Sequence, residues 1–147
     1  MVVASRANAT PSSPAAVHLE RLAPVLIVDA VEPCIAFWAD RLGFTIENTV
    51  PGPDGTLVFA SVKRGAIEIM YQTRASVLVD APGTADDLRG HSTALFITVG
   101  NLDDVEKAMA GAPVVKPRHK TFYGSVEMYV REPGGNTVGF AQFAQSQ

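Results

Sequence analysis

A single cysteine in 147 residues excludes an internal disulfide framework. Cys34 falls on the apolar stripe of a predicted helix, where a buried, inert thiol is expected. No apolar run reaches the ~18 residues of a membrane span. The opening stretch, MVVASRANATPSSPAA, lacks the apolar centre of a secretory signal, and residues 1–20 read as a disordered leader. A cytoplasmic protein with no membrane partner is the resulting expectation. Charge is also sparse: 18% of residues carry one and the net charge is −3, which speaks against a nucleic-acid partner, whose phosphates demand a basic face. The one basic cluster, Lys116-Pro-Arg118-His119-Lys120, reads as a solvated loop. Glycine-rich phosphate loops, Gly-x-Ser-x-Gly elbows and zinc-spaced Cys/His clusters are all missing.

What is present is a core, since 47% of the residues are hydrophobic. Val25 to Val28 form a short apolar run, expected within a strand over 23–29 that is covered on both faces. Val31, Cys34, Ile35, Trp38 and Leu42 recur at helical spacing, with Pro33 in the first turn and Gly43 placed to end the helix. Strands are predicted over 44–50, 57–62 and 66–72. The pattern dissolves over 73–90, apart from one possible helical turn at 85–88. Order then restarts with a strand over 94–99, a helix capped by Asn101 or Asp103, and a short strand at Val114-Val115. A long hairpin closes the chain. Val126, Met128 and Val130 alternate with Glu127, Tyr129 and Arg131, Pro133-Gly134-Gly135-Asn136 makes the turn, and residues 137–140 return.

The restart is a repeat. Val31, Cys34 and Trp38 align with Leu102, Val105 and Met109, and Val28, Ile67 and Ile69 align with Val99, Val138 and Phe140, each pair 71 positions apart. The chain therefore reads as an α+β protein of two strand–helix–strand–strand–strand modules, 21–73 and 92–147, joined by a linker over 74–91. Neither module can bury both faces of its sheet alone, so the two are expected to pack together.

Two such modules, with PVLIVDAVEPCIAFWADRLGF at Pro24 to Phe44 and YGSVEMYVREPGGNTVGF at Tyr123 to Phe140, resemble the vicinal-oxygen-chelate superfamily of glyoxalases, extradiol dioxygenases and bleomycin-resistance proteins. The first stretch looks most like the bleomycin-resistance branch. The resemblance implies a cupped mixed sheet with helices outside, and commonly a homodimer. It also implies four metal-ligand positions on the first and fourth strands of each module, which fall at Ala23, Glu68, Ala94 and Gly139. Of these only Glu68 could ligate, so no metal and no other cofactor is expected. A non-standard site built from His91, Glu68 and His119 is the alternative.

Alternation on the fourth strand sends Glu68, Met70 and Gln72 into the cup and Ile67, Ile69 and Tyr71 toward the helices. Val25, Ile27, Phe96, Thr98, Ala141 and Phe143 should line the cup as well, with Phe59, Phe122, Tyr123 and Tyr129 as aromatic walls and Trp38 in the core. Tyr123 is singled out by the resemblance, which implies an aromatic ring at that position stacking on a bound drug. The expected ligand-binding set is Phe59, Glu68, Met70, His91, Phe96, Phe122, Tyr123 and Tyr129. The function these readings favour is metal-free binding of an aromatic, antibiotic-like small molecule. The alternative is a lyase, isomerase or dioxygenase of the same superfamily, either metal-dependent through a non-standard site or metal-free with Glu68 as general base.

Overall fold

A computed structural model describes residues 14–83 and 93–144. After a 3₁₀ turn at Pro14–Ala16, the first module runs β1 (Val25–Val28), α1 (Glu32–Leu42), β2 (Thr45–Pro51), β3 (Leu57–Arg64) and β4 (Ile67–Thr73). A short helix, α2 (Arg74–Asp80), follows. The second module is β5 (Ala94–Thr98), α3 (Leu102–Ala108), β6 (Val114–Lys120), β7 (Ser125–Arg131) and β8 (Thr137–Phe143). Each module folds into a four-stranded mixed sheet, ordered β1-β4-β3-β2 and β5-β8-β7-β6, with a parallel β1–β4 or β5–β8 pair and antiparallel neighbours. The two tandem α+β modules are as the sequence predicts.

Local chemistry accounts for α1. Glu32 lies in its first turn and Pro33 supplies a preset φ where no N–H is needed, while Gly43 ends the helix in the left-handed region at φ 68°. Val31, Cys34 and Trp38 are fully buried. The helix-side faces of both sheets share one core with these residues, including Val28, Ile69 and Tyr71 from the first module and Leu102, Val130, Val138 and Phe140 from the second. The modules are also pinned by a buried polar chain. Trp38 Nε1 donates to the Tyr71 hydroxyl (2.8 Å), which donates to Glu132 (2.6 Å), and Glu132 accepts from the backbone N–H and side-chain amide of Asn136 (2.7 and 3.1 Å). The turn carrying Glu132 presses so closely on the first module that a Cβ on Gly134 would collide with Val28 and Cys34.

Several expectations change. β1 is not covered equally on its two faces: Leu26 and Val28 are buried, whereas Val25 is 47% exposed and Ile27 is half-buried. Ile67, expected against the helices with Ile69, is 38% exposed at the strand's start. The segment read as a linker opens with α2, capped by the Thr73 hydroxyl accepting from Ser76 N–H. None of the side chains of α2 is buried, so it leaves no apolar stripe in the sequence. The basic cluster is strand, not loop: β6 reaches Lys120, and two register shifts against β7 together with Pro117 erase its alternation. The helical turn at 85–88 and His91 lie outside the described residues. Among the described residues, no helix is long and apolar enough to cross a membrane.

Candidate functional site

Strand register brings the concave face of the second sheet into two cross-strand rows. Lys116, Tyr129, Gly139 and Phe96 form one, and His119, Glu127, Ala141 and Thr98 the other. Beside them Ser125 pairs with Phe143. The face is small in the middle and aromatic at its margins: Phe96 is 51% exposed, and Tyr123 and Phe143 are also exposed and packed ring to ring, 6.3 Å apart. Phe122, fully exposed, meets Tyr123 edge to face. A cleft of about 550 Å³ opens here, lined by Lys116, His119, Phe122, Tyr123, Glu127 and Tyr129 among others.

Glu127 organises this cleft. It is 1% exposed and accepts three hydroxyl hydrogen bonds, from Tyr123 (2.6 Å), Ser125 (2.7 Å) and Tyr129 (2.8 Å). Burial opposes its ionisation, but these three donors, with His119 nearby, outweigh it and hold the carboxyl below its ordinary value. The tyrosines shift the other way. Burial and the Glu127 charge push Tyr129 up to about 12, and the bond to Glu127 raises Tyr123. Both phenols therefore stay protonated and donate. His119 Nδ1 lies 2.8 Å from the Pro117 carbonyl, which can only accept, so the hydrogen sits on Nδ1. Its ring stacks on Tyr129 at 6.2 Å between centroids and 20° between planes.

The predicted metal positions do not fit a metal. Val25 pairs with Met70 and Thr98 with Ala141, so the residue of β5 equivalent to Ala23 is Phe96 rather than Ala94. A slip of two residues keeps the same face outward, and sequence alignment of the modules cannot detect it. Phe96 offers no donor. Gly139 lies under Tyr129, and any Cβ there would fall inside the van der Waals surface of three ring carbons. Glu68 is buried and ion-paired with Arg21, so a guanidinium already meets the only carboxylate of the set. No step is therefore assigned to a metal. The alternative set with His91 falls outside the described residues, and His119 lies instead in the second-sheet cleft.

The predicted ligand-binding residues separate into groups. Phe122, Tyr123 and Tyr129 come together in the cleft around Glu127. Glu68 and Phe96 share a smaller cleft of about 250 Å³ where β4 of one module meets β5 of the other. Phe59 and Met70 lie on the concave face of the first sheet, flanking Ser61 and Gln72 in the register, and line neither cleft. Sequence reasoning missed Glu127, Ser125 and Lys116. The available signal was period-two spacing: Tyr123, Ser125 and Tyr129 stand four and two residues before Glu127 and two after it, with the last two necessarily on its face.

Residues 17–140 match the family model described as the Glyoxalase/Bleomycin resistance protein/Dioxygenase superfamily. A relative, uncharacterized protein MT0910 of Mycobacterium tuberculosis, is 27% identical over 141 residues, which cover 93% of this chain and 83% of that protein. Among solved structures, a glyoxalase/bleomycin resistance protein/dioxygenase family enzyme from Burkholderia phytofirmans PsJN superposes with a TM-score of 0.69 at 16% identity, covering 83% of this chain and 97% of that one. TioX from Micromonospora sp. ML1 superposes at 0.67 with 20% identity, covering 85% and 99%. At these identities the structures speak for the fold alone, and the matches single out no branch of the superfamily.

Proposed function

The chain belongs to the Glyoxalase/Bleomycin resistance protein/Dioxygenase superfamily, and on that premise we propose that it is a metal-free binding protein for a small aromatic molecule. The cleft of about 550 Å³ walled by Phe122, Tyr123, Tyr129 and His119 carries the proposal. Exposed rings next to a few fixed polar groups are what recognition of a planar ligand needs. Binding is favoured over turnover by the state of the two concave-face carboxylates. Glu127 is held ionised by three hydroxyls, and Glu68 is occupied by its ion pair with Arg21, so both carboxylates are committed within the protein rather than to a reacting group. The open concave faces further support a homodimer in which a second copy closes the cup.

The test is fluorescence titration with the uncharged probe N-phenyl-1-naphthylamine. Wild-type protein is expected to bind it. Replacing both Phe122 and Tyr123 by Ala should weaken binding about tenfold, since each lost aromatic contact is worth ~0.5–1.5 kcal/mol. Phe59→Ala, on the other sheet, should leave the affinity unchanged. Equal affinities in all three proteins would overturn the assignment of the cleft.

A further inference from the structure

The charges of the cleft define its ligand further. Four residues on or beside β6 and β7 could meet a charged ligand: Lys116, His119, Lys120 and Glu127 all line the cleft. Glu127 is 1% exposed and already accepts three hydroxyl hydrogen bonds, two on Oε2 and one on Oε1, so little of it faces an incoming cation. The lysines are in the opposite condition. Arg118, between them in sequence, turns to α3 and pairs with Asp103 (2.6 Å) and Glu106 (3.2 Å). Lys116 and Lys120 have no ion-pair partner among the described residues. Lys116 stands directly across from Tyr129, on the face that carries the aromatic margin, and His119 stands across from Glu127. The local positive sign is set against a chain whose net charge is −3, so it does not simply reflect overall composition.

The cleft opens over β6, β7 and the turn between them, where Lys116 shares a wall with the rings of Phe122, Tyr123 and Tyr129. On β8, Gly139 is covered by the Tyr129 ring and Ala141 is buried, so the accessible apolar surface is the aromatic wall itself. We propose that the ligand of this cleft is an aromatic acid: a planar molecule whose anionic group pairs with Lys116, beside His119, while its rings lie against Tyr129, Tyr123 and Phe122. This rests on the small-molecule reading above and adds the sign of the charge.

The test compares two probes with the same rings, using the full chain. 1-Anilinonaphthalene-8-sulfonate carries a sulfonate, and N-phenyl-1-naphthylamine is its uncharged counterpart. At low ionic strength the sulfonate is expected to bind at least about tenfold more tightly, with the advantage shrinking as salt is added. Lys116→Gln should abolish the advantage of the sulfonate over the uncharged probe, with the melting temperature unchanged. Lys107→Gln, on α3, should change neither. If both probes bind equally, or cationic proflavine binds more tightly than the sulfonate, the aromatic cleft stands and the acidic ligand is wrong. The lysines would then only guard an edge strand. If neither naphthalene probe binds, the acidic ligand and the binding-protein reading both fall.

Discussion

Glu127 is a carboxylate made stable by its neighbours rather than by solvent. A carboxyl held below its ordinary value in the folded state binds fewer protons there than in the unfolded chain. Its contribution to stability is thus fully present above the unfolded value of about 4.3 and is lost as pH falls through the folded value. Glu127→Gln should flatten the acid side of the stability curve, measured by urea denaturation between pH 3 and pH 7. Parallel curves for the two proteins would show that the three hydroxyls do not bias its protonation. Tyr129 stood out in the sequence as an aromatic on an alternating hairpin strand, and Tyr123 through the family resemblance. Glu127 did not, because a charged residue on an alternating strand is ordinarily a solvent-facing one. Glu68 was legible as a concave-face carboxylate, but its partner Arg21 lies in irregular chain before β1, where no periodicity points to it.

The β7–β8 hairpin shows how one element replaces a ligand position with packing. Tyr129 and Gly139 are register partners, and the ring lies over the glycine while its hydroxyl reaches Glu127. An aromatic laid across a strand glycine covers backbone that would otherwise be bare. Gly139→Ala should cost about 1–3 kcal/mol, because the ring must swing away and its bond to Glu127 goes with it. In a Tyr129→Ala background the same substitution should cost clearly less, and a double-mutant cycle followed by thermal unfolding measures the difference. Additive costs would mean that the ring is not what excludes a side chain at 139. This hairpin and α1 could be read in the sequence because alternation, Pro33 and Gly43 are local signals. Strand β6 could not beyond its first residues, since its bulges and Pro117 break the period, and α2 buries nothing that would mark a face.

For the molecule as a whole, the telling feature is which sides of the sheets share the core. The helix-side faces meet in one cluster, while apolar side chains on the other faces stay open: Val25 on the first sheet, Phe96 and Phe143 on the second. Closure by a second copy is the expected solution, since a two-fold pairing covers the same open surface on both chains at once. Sedimentation velocity at micromolar concentration should show a dimer, and monomer alone would overturn that assembly. The tandem repeat foretold that two modules pack together, but not the two-residue slip of β5 that places Phe96 opposite Gly139. The buried chain from Trp38 through Tyr71 to Glu132 has a practical corollary. The protein's single indole and single thiol, Trp38 and Cys34, are both sealed inside α1 at the junction of the modules, whereas the proposed cleft is lined by tyrosine, phenylalanine and histidine. Indole emission and thiol labelling thus report on the parting of the two halves, and two of the three tyrosines, Tyr123 and Tyr129, report on what enters the cleft, while Tyr71 stays with the indole at the junction.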